Sequence, residues 1–360
     1  MKVLALASYP VEAAATRYRL QQFIDPLAAR GIELTVKPFL SSDSFKRLYR
    51  HHSRVRTAVD LMSATARRLA SCAMLGRADV ILVQREAMIL GPPIVEWLAA
   101  RVFQRPMVLD LDDATYVPYT SPTYGGLAKA LKFFRKTDDL IRWSRVVICG
   151  NQTVAEYVSS KGARAEIIPT VVDTEKFKPA ASGHRSVPVV GWVGTHSTFP
   201  FVQTILPALS EVAKTQTFKL KIVGAGSADV SVPGIEVENL EWKMEREVAD
   251  FQSLDVGLYP VNADNNWATG KSGFKAIQYM AAGVPYVATP IGAAAHIGQE
   301  NLTHFFATTQ EEWIEKLKTL LNDPKRRREM GEAGRRHAVE CYHLESQAEK
   351  LAKVLREAAS

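Results

Sequence analysis

Short apolar runs rich in β-branched residues alternate with longer segments of helical periodicity along this 360-residue chain. The runs of the first half are KVLALAS, IELTVKPF, DVILVQ, PMVLDLD, RVVICG and AEIIPT, and those of the second half are PVVGWVG, FKLKIVGAG, IEVENLEW, DVGLYP, VPYVATP and THFFAT. Between the first two runs, residues 16–30 place four apolar side chains on one helical face. Since parallel strands need a crossover between them, this alternation predicts doubly wound parallel sheets.

The length favours two domains, because domains cluster at roughly 100 to 200 residues. Hydrophobic residues make up 47% of the chain, enough for two cores. We predict an α/β fold of two Rossmann-like doubly wound domains, residues 1–180 and 181–345, that face each other across a cleft. The polar segment 173–188 is interpreted as their linker. Residues 346–360 are expected to form a C-terminal helix that packs back on the first domain.

The three cysteines, Cys72, Cys149 and Cys341, lie far apart and match neither a disulfide framework nor a metal-ligand spacing. This usage favours a reducing environment. The N-terminal apolar run is shorter than the ~7 to 15 residues of a signal-peptide core, and no run approaches the ~20 residues of a membrane-spanning helix. We therefore expect a cytoplasmic protein whose membrane contact, if it has one, is peripheral at the inner face.

The net charge of +7 is concentrated in the first half, where 26 Lys and Arg oppose 17 Asp and Glu. Its densest part, residues 45–77, carries eight Lys and Arg and one acid. Such a stretch favours anionic lipid, nucleic acid or a phosphorylated partner. The alternative is a solvated helix whose arginines flank an apolar face. Nucleic acid is not expected as a partner, because the stretch has no nucleic-acid motif and few aromatic residues.

Glycine-bearing turns follow predicted strands of the second half, at the strand ends where open parallel sheets bind ligands. The turns contain Gly194 and Thr195, then Gly224 and Gly226, then the stretch 270–273. Glycine lets backbone approach a ligand, and a helix N-terminus can accept a phosphate; the alternative is a capped helix alone. The Gly-x-Gly pair lacks the third glycine and the distant acid of a dinucleotide site, so a nicotinamide cofactor is not expected.

The Gly-Lys-Ser-Gly turn at 270–273 precedes a segment of helix length. Lys271 and the backbone N–H groups of Ser272, Gly273 and Phe274 are expected to point at one spot, where the lysine adds its charge to the helix N-terminus. This arrangement predicts a diphosphate site. The upstream glycine of a P-loop is missing. As pure structure, the same residues would form a flexible turn with an exposed lysine.

The segment GKSGFKAIQYMAAGVPYVATPIG closely resembles the donor-site segment of GT-B fold glycosyltransferases of family 4. Further segments resemble those of the family and follow its order: ARGIELTV, IIPTVVDTEKFKP, KLKIVGAG and SLDVGLYP. The resemblance spans nearly the whole chain. It implies an acceptor-binding first domain and a nucleotide-sugar-binding second domain. It also implies sugar transfer with retention of configuration, with the nucleotide-sugar as a substrate and without a cofactor or bound metal.

In this resemblance, Gln278 stands at the second Glu of the family's Glu-x7-Glu pair, which holds the donor ribose; glutamine still offers hydrogen bonds. Gly270 stands at the first Glu, which contacts the transferred sugar. That contact is expected from Asp264 or Asn265, or it is missing. Many relatives also carry an Arg and a Lys near the first glycine turn, and this chain has neither. Lys271 is therefore the leading catalytic cation for the departing diphosphate.

The segment PMVLDLDDATY follows the register of a family strand that often ends in His-Asp, so Asp112 stands at the position of the His. Together with Asp110 and Asp113 it forms an acidic triplet at a strand end. Asp112 and Asp113 are candidate catalytic residues that orient a sugar hydroxyl, bind the acceptor or hold a cation. The alternative is that one or two of them cap the next helix. A metal site is not predicted, because spacing marks no partner acids.

The loops of the first domain are expected to hold the acceptor. The candidates follow the first and third predicted strands: Arg17, Tyr18, Arg19, Arg85 and Glu86. Arginines there suit an anionic or phosphorylated acceptor. They could equally be surface residues that pair with Glu12 or Glu86.

The leading hypothesis is a glycosyltransferase of a cell-envelope polysaccharide, glycan or glycolipid pathway, with a glycan, lipid-linked or small-molecule acceptor. A nucleotide-sugar epimerase or hydrolase of the same fold would share the donor site but needs a general acid or base, which the acidic triplet could supply. A catalytically weak nucleotide-sugar-binding protein is the third hypothesis, suggested by Gly270 and Gln278 in place of both glutamates. It predicts binding without turnover on any acceptor.

Overall fold

The computed structural model of the protein describes residues 1–48, 54–117, 132–180, 186–226, 228–262 and 270–360. The chain divides into two compact units. Unit 1 comprises Met1–Val171, Gly270–Ser272 and Leu344–Ser360, and unit 2 comprises Val172–Thr269 and Gly273–His343. The chain thus leaves unit 1 twice and returns to it twice.

Unit 1 is built on a parallel sheet. Its strands are β1 Lys2–Ala7, β2 Glu33–Pro38, β3 Val80–Gln84, β4 Met107–Leu111, β5 Val146–Cys149 and β6 Ala165–Ile167. They lie in the order β2-β1-β3-β4-β5-β6. The strands β3 and β4 are wholly buried, as uninterrupted apolar runs require when helices cover both faces. Because the strand order reverses between β1 and β3, their carboxyl ends mark the place where such sheets bind ligands.

Helices cover the sheet of unit 1. They are α1 Ala14–Arg19, α2 Ile24–Ala28, α3 Ser42–Leu48, α4 Arg54–Ala70, α5 Ile94–Trp97, α6 Lys136–Trp143, α7 Gln152–Ser160 and, at the end of the chain, α14 Leu344–Ala359. The core is formed by side chains such as Leu6, Ile81 and Leu109. Helix α14 packs against α2, β3 and β4, which confirms the C-terminal helix predicted to return to the first domain.

Unit 2 repeats the plan. Its strands are β7 Val189–Val193, β8 Lys219–Val223, β9 Glu236–Leu240, β10 Val256–Tyr259, β11 Tyr286–Ala288 and β12 His304–Phe306. Its helices are α8 Phe199–Gln203, α9 Leu206–Ala213, α10 Glu247–Gln252, α11 Phe274–Ala281, α12 Gln310–Asn322 and α13 Pro324–Cys341. The parallel sheet has the order β12-β11-β10-β7-β8-β9, so the strand order reverses between β7 and β10.

Helix α11 is fixed against the sheet of unit 2 by one tyrosine. The Tyr279 hydroxyl lies near two strand carbonyls, at 2.9 Å from Leu258 O and 3.3 Å from Gly191 O. Gly257 makes room for the ring, because a Cβ there would lie 2.6 Å from it. Helix α13 packs on the other side of α11. The N-terminus of α11 is therefore held at the carboxyl edge of the sheet.

Two parallel six-stranded sheets flanked by helices confirm the predicted α/β fold of two doubly wound units. The interpretation of 173–188 as a linker is wrong in its first part, where Thr174 and Phe177 are buried in unit 2. Arg335 donates hydrogen bonds to the carbonyls of both residues. The burial of Phe177 could not be predicted from composition, because a single apolar residue in a polar stretch creates no periodic pattern. Residues 181–185 lie outside the described ranges.

The sequence also predicts no membrane-spanning helix. Among the described residues, no helix combines the length and the apolar character needed to cross a bilayer.

Candidate functional site

Two aspartates and one arginine form a cluster at the carboxyl edge of the unit 1 sheet. Asp112 and Asp113 follow β4, and Arg85 follows β3. The Arg85 guanidinium donates from Nε to Asp112 Oδ1 (2.6 Å), and from Nη2 to Asp112 Oδ2 (2.5 Å) and Asp113 Oδ2 (2.9 Å). Bidentate pairing restricts both partners, so this arginine orients both carboxylates.

Arg85 adopts a left-handed backbone conformation, with φ of +61°. For a residue other than glycine this conformation costs on the order of 1 kcal/mol. The Arg85 N–H donates to Asp110 O (2.8 Å), which ties the turn to β4. The ion pairs and this hydrogen bond offset the strain.

The charges in this cluster stabilise one another. Burial raises the pKa of Asp112, but the charge and hydrogen bonds of Arg85 outweigh that effect, and the pKa falls below its usual value. Burial disfavours the charged form of Arg85, yet the two carboxylates hold its pKa well above the ordinary value. Asp112 is therefore ionised at neutral pH, which suits charge stabilisation better than proton transfer.

The third member of the acidic triplet has a different partner. Arg19 donates to Asp110 from Nε (3.1 Å to Oδ2) and from Nη2, and both side chains are buried. Its Nη1 donates to Ile168 O (2.6 Å). Burial raises the pKa of Asp110, and the Arg19 charge opposes this. These contacts make Arg19 a structural residue of unit 1, and its contact with an acceptor stays a prediction.

Arginines thus divide the acidic triplet. Among the described residues, no group of three His, Cys, Asp or Glu side chains is arranged to hold a metal ion.

The other acceptor candidates also make contacts inside unit 1. Arg17 donates from Nη1 to Glu12 O (3.0 Å), and Tyr18 is buried. The Glu86 carboxylate pairs with the buried Lys136 at 2.7 Å. One alternative was that the arginines pair with Glu12 or Glu86. Glu86 pairs instead with Lys136, which lies 50 residues further along the chain.

The turn Gly270–Ser272 belongs to unit 1. The Ser272 N–H donates to Asp113 Oδ1 (3.1 Å), and Gly270 O accepts from Ala114 N–H (3.3 Å) and Asn151 Nδ2 (3.2 Å). The side chain of Asn151 also caps α7. Sequence reasoning missed Asn151, although its place directly after β5 is a signal for a residue at the ligand-binding edge.

The sequence predicts that the N–H groups of Ser272, Gly273 and Phe274 converge on one anion. The Ser272 N–H donates instead to Asp113, and Gly273 and Phe274 belong to unit 2. The physical reason is that Asp113 brings its carboxylate to this turn. The prediction that the Ser272 N–H binds a ligand anion is therefore wrong, because this N–H donates to Asp113.

Gly270 has no room for a side chain. A Cβ at this position would collide with the Cβ of Ala114 and lie 3.2 Å from its backbone nitrogen. The glutamate that the family resemblance expects here therefore does not fit this turn. Its predicted substitutes, Asp264 and Asn265, lie outside the described residues.

Lys271 is half-buried beside the cluster. Burial lowers its pKa from 10.5 to about 8; Asp113 and Asp112 oppose this shift, and the charge of Arg85 adds to it. The side chain is therefore mostly charged at neutral pH and loses its charge in mildly alkaline solution.

In unit 2, two of the predicted glycines bring neighbouring turns together. Gly224 has φ of +86°, and a Cβ there would collide with Gly194 O. A Cβ on Gly194 would in turn collide with the Trp192 ring. The Gly194 N–H donates to Val223 O (2.9 Å). Only glycine at both positions allows the loops after β7 and β8 to approach this closely.

Hydroxyl groups gather in the loop after β7. Thr195 Oγ1 lies 2.9 Å from Ser197 Oγ, and Thr198 Oγ1 donates to Thr195 O (3.1 Å). Thr198 is the N-cap residue of α8, but its side chain does not cap the helix. A Cβ on Gly226 would lie 3.1 Å from His196 Cβ, so the predicted Gly226 meets this loop as well.

Helix α11 carries the remaining donor candidates. Gly273, its N-cap residue, has φ of +69°, and a Cβ there would collide with Ile297. Phe274 begins the helix, and Gln278 is 4% exposed. Gln278 thus lies one helical turn inside α11, near the N-terminus of the helix.

Sequence reasoning missed Lys275, the second residue of α11. Its Nζ lies 5.9 Å from the centre of the Trp192 ring, the same ring that limits Gly194. Its position could have indicated a function, because the helix macrodipole disfavours a cation in the first turn of a helix.

Residues 187–323 match the family described as glycosyl transferases group 1. The matched stretch covers less than half of the chain. It contains the glycine turns after β7 and β8 and the whole of α11. A comparison with curated proteins finds no match for the chain.

Solved structures match the whole chain. The Anabaena protein Alr3699/HepE in complex with UDP is 16% identical with a TM-score of 0.69, covering 99% of this chain and 100% of that chain. Sucrose-phosphate synthase from Thermosynechococcus elongatus is 15% identical with a TM-score of 0.70, covering 100% and 99%. A glycosyltransferase from Rickettsia africae is 14% identical with a TM-score of 0.71, covering 99% and 98%. At these identities the likeness establishes the fold, which is GT-B.

Proposed function

We propose that this protein is a retaining glycosyltransferase that moves a sugar from a nucleoside diphosphate sugar to an acceptor. The observation that carries the proposal is the pair of loops after β7 and β8, which Gly194 and Gly224 bring into contact inside the stretch that matches glycosyl transferases group 1. Glycine in such loops lets a ligand approach the backbone at a strand edge, where a nucleotide diphosphate binds in sheets of this kind.

Gln278 is the proposed ribose ligand. Its side chain is buried and lies one helical turn inside α11, near the helix N-terminus. A carboxamide offers two donors and one acceptor oxygen, which suits a pair of ribose hydroxyls. Alr3699/HepE was solved with UDP and with UDP-glucose, so we propose UDP-sugars as the first donors to test.

Lys271 is the proposed cation for the departing diphosphate. Charge that develops on the leaving group is stabilised by a positioned ammonium and by a helix N-terminus. Asp113 holds the turn that carries this lysine through the Ser272 N–H. Lys275, in the first turn of α11, is a second candidate cation. The proposal requires no resident cofactor, because the nucleotide-sugar is a substrate.

Unit 1 is proposed to bind the acceptor, a glycan, lipid-linked or small molecule of a cell-envelope pathway. The carboxyl edge of its sheet presents Asp112 and Asp113, with carboxylates that can accept hydrogen bonds from sugar hydroxyls. Epimerase or hydrolase chemistry is less well supported, because Arg85 lowers the pKa of Asp112, which leaves it ionised and makes it a weaker base. A binding protein without turnover is supported only by the absence of a side chain at Gly270.

The first experiment is a thermal-shift and calorimetric panel of UDP, GDP, ADP and their sugars. We expect one nucleotide family to raise the melting temperature. Gln278→Ala should weaken binding of that nucleotide roughly fivefold, since one net hydrogen bond is worth about 1 kcal/mol. Gln299→Ala is the matched control, because Gln299 is an exposed glutamine of the same unit.

The proposal fails if no nucleotide or nucleotide-sugar shifts the melting temperature. Turnover on acceptors with the best donor then separates transfer from the alternatives. Free sugar or an epimer formed without acceptor indicates hydrolysis or epimerisation, and binding without any product indicates a binding protein.

A further inference from the structure

Helix α4 of unit 1 carries an apolar stripe on its solvent side. Val55 is 74% exposed, Val59 46%, Met62 65% and Leu69 44%. Ala66 is exposed as well. At 100° per residue these five positions fall within a stripe about 80° wide along the helix. Most surface helices have the opposite arrangement, with their apolar stripe facing the core.

The opposite side of α4 is anchored, so the stripe faces away from the core. Ala64 and Arg68 are buried. Arg68 Nη2 donates to Ala7 O and to Lys37 O, both at 2.9 Å, and thereby binds the ends of β1 and β2. These contacts fix the rotation of α4 about its axis.

The charges of residues 45–77 indicate which kind of partner the apolar stripe of α4 binds. The only acid among the 33 residues 45–77 is Asp60, and its carboxylate pairs with Arg47 at 2.7 Å. Arg56 and Arg67 are exposed, and both lie about 100° to 120° from the centre of the stripe, on the same flank. An apolar stripe beside arginines, in a stretch with eight Lys and Arg and one acid, favours a partner that is both apolar and anionic.

We propose that α4 is a membrane-docking surface for bilayers that contain anionic lipid. The stripe enters the boundary between headgroups and acyl chains, as in helices that lie in the interface plane, and the arginines meet the anionic headgroups. A second copy of the chain fits less well, because pairing two such helices brings two stretches of net positive charge together. The inference concerns binding only and stands whether or not the protein transfers sugar.

Vesicle sedimentation tests this surface on the full chain. Wild-type protein is mixed with phosphatidylcholine vesicles that contain phosphatidylglycerol, and with phosphatidylcholine vesicles alone. We expect binding to the first kind and little binding to the second. Met62→Asp should lower the partition coefficient at least tenfold, since it removes apolar area and adds a repelling charge. Arg67→Gln should lower it about fivefold, since one basic residue at the surface contributes about 1 kcal/mol.

Matched controls come from exposed residues of unit 2. Met244→Asp repeats the change of methionine to aspartate, and Arg328→Gln repeats the loss of one arginine. Both should bind vesicles as the wild type does. Unchanged circular dichroism and melting temperature of Met62→Asp establish that its loss of binding is not unfolding. If that variant unfolds, Val59→Gln takes its place, with an expected smaller loss.

Three outcomes overturn the proposal. One is a wild-type protein that binds neither kind of vesicle. Another is a set of α4 variants that bind as well as the controls. The third is a wild-type dimer, seen by light scattering, that Met62→Asp converts to a monomer, because a second copy would then cover the stripe.

Discussion

The pKa of Lys271 gives the proposed donor chemistry a pH dependence that can be measured. Burial lowers this pKa from 10.5 to about 8. Below pH 8 the side chain is an ammonium that attracts a diphosphate, and above pH 8 it is neutral. UDP binding should therefore weaken as the pH rises through 8, and Lys271→Arg should abolish this effect, because arginine stays charged in this range.

The size of the effect follows from the titration. With a pKa of about 8, roughly nine-tenths of the side chains are charged at pH 7 and roughly one-tenth at pH 9. If only the charged form binds well, the association constant for UDP falls about tenfold over this interval. In the arginine variant we expect a change of less than about twofold from this source.

Isothermal titration calorimetry with UDP at pH 7, 8 and 9 measures this difference directly. Ionisation of the UDP base is common to wild type and variant, so it cancels when the two profiles are compared. Repeating the pH 8 titration in buffers of different ionisation enthalpy counts the protons taken up, about half a proton for wild type and close to none for Lys271→Arg. Lys325→Arg, at an exposed lysine of α13, serves as the matched control and should keep the wild-type profile.

Parallel pH profiles for wild type and Lys271→Arg would refute the reasoning. So would proton uptake by the arginine variant equal to that of the wild type.

Two further predictions concern stability. Gly270→Ala should lower the free energy of unfolding by about 1 to 3 kcal/mol, since its Cβ meets Ala114, and Ala114→Gly should recover part of this loss in the double variant; urea denaturation of all four proteins measures the coupling, and strictly additive effects would contradict the contact. Burial lowers the pKa of His304 from 6.5 to about 4, so the unfolded state binds its proton more tightly and stability falls as the pH drops from 6.5 to 4. His304→Gln should remove up to about 3 kcal/mol of that dependence, and an unchanged slope of unfolding free energy against pH would count against it.

The fold could be predicted from the sequence because its signal is local and repeated. In unit 1 the buried strands β3 and β5 are predominantly apolar runs, and the residues that follow β1, β3 and β4 are predicted to form loops of the ligand-binding edge. The roles of Gly194 and Gly224 in unit 2 could also be predicted. Glycine at a strand end indicates that another backbone segment or a ligand approaches closely, even when that neighbour is not known.

The pairings inside the site could not be predicted in this way. Arg19 and Asp110 are 91 residues apart, and Asp113 and Ser272 are 159 residues apart. A single sequence shows that an arginine and an aspartate lie at strand ends, but the order of the strands decides which of them meet. From the sequence, the three aspartates were therefore predicted to act as one group. In the structure Asp110 pairs with Arg19, whereas Asp112 pairs with Arg85.

Gly270 shows why the turn cannot be restored to the family pattern by one substitution. A glutamate there would need the space of Ala114, and it would bring its charge to a turn that already contacts the Asp113 carboxylate. The aspartate after β4 and the glycine in the turn are therefore linked: each is compatible with the other, and an acid at both positions would place like charges together. Under the proposed function, the carboxylate at this turn is supplied by Asp113 from the strand edge of unit 1, with Lys271 as its cationic neighbour.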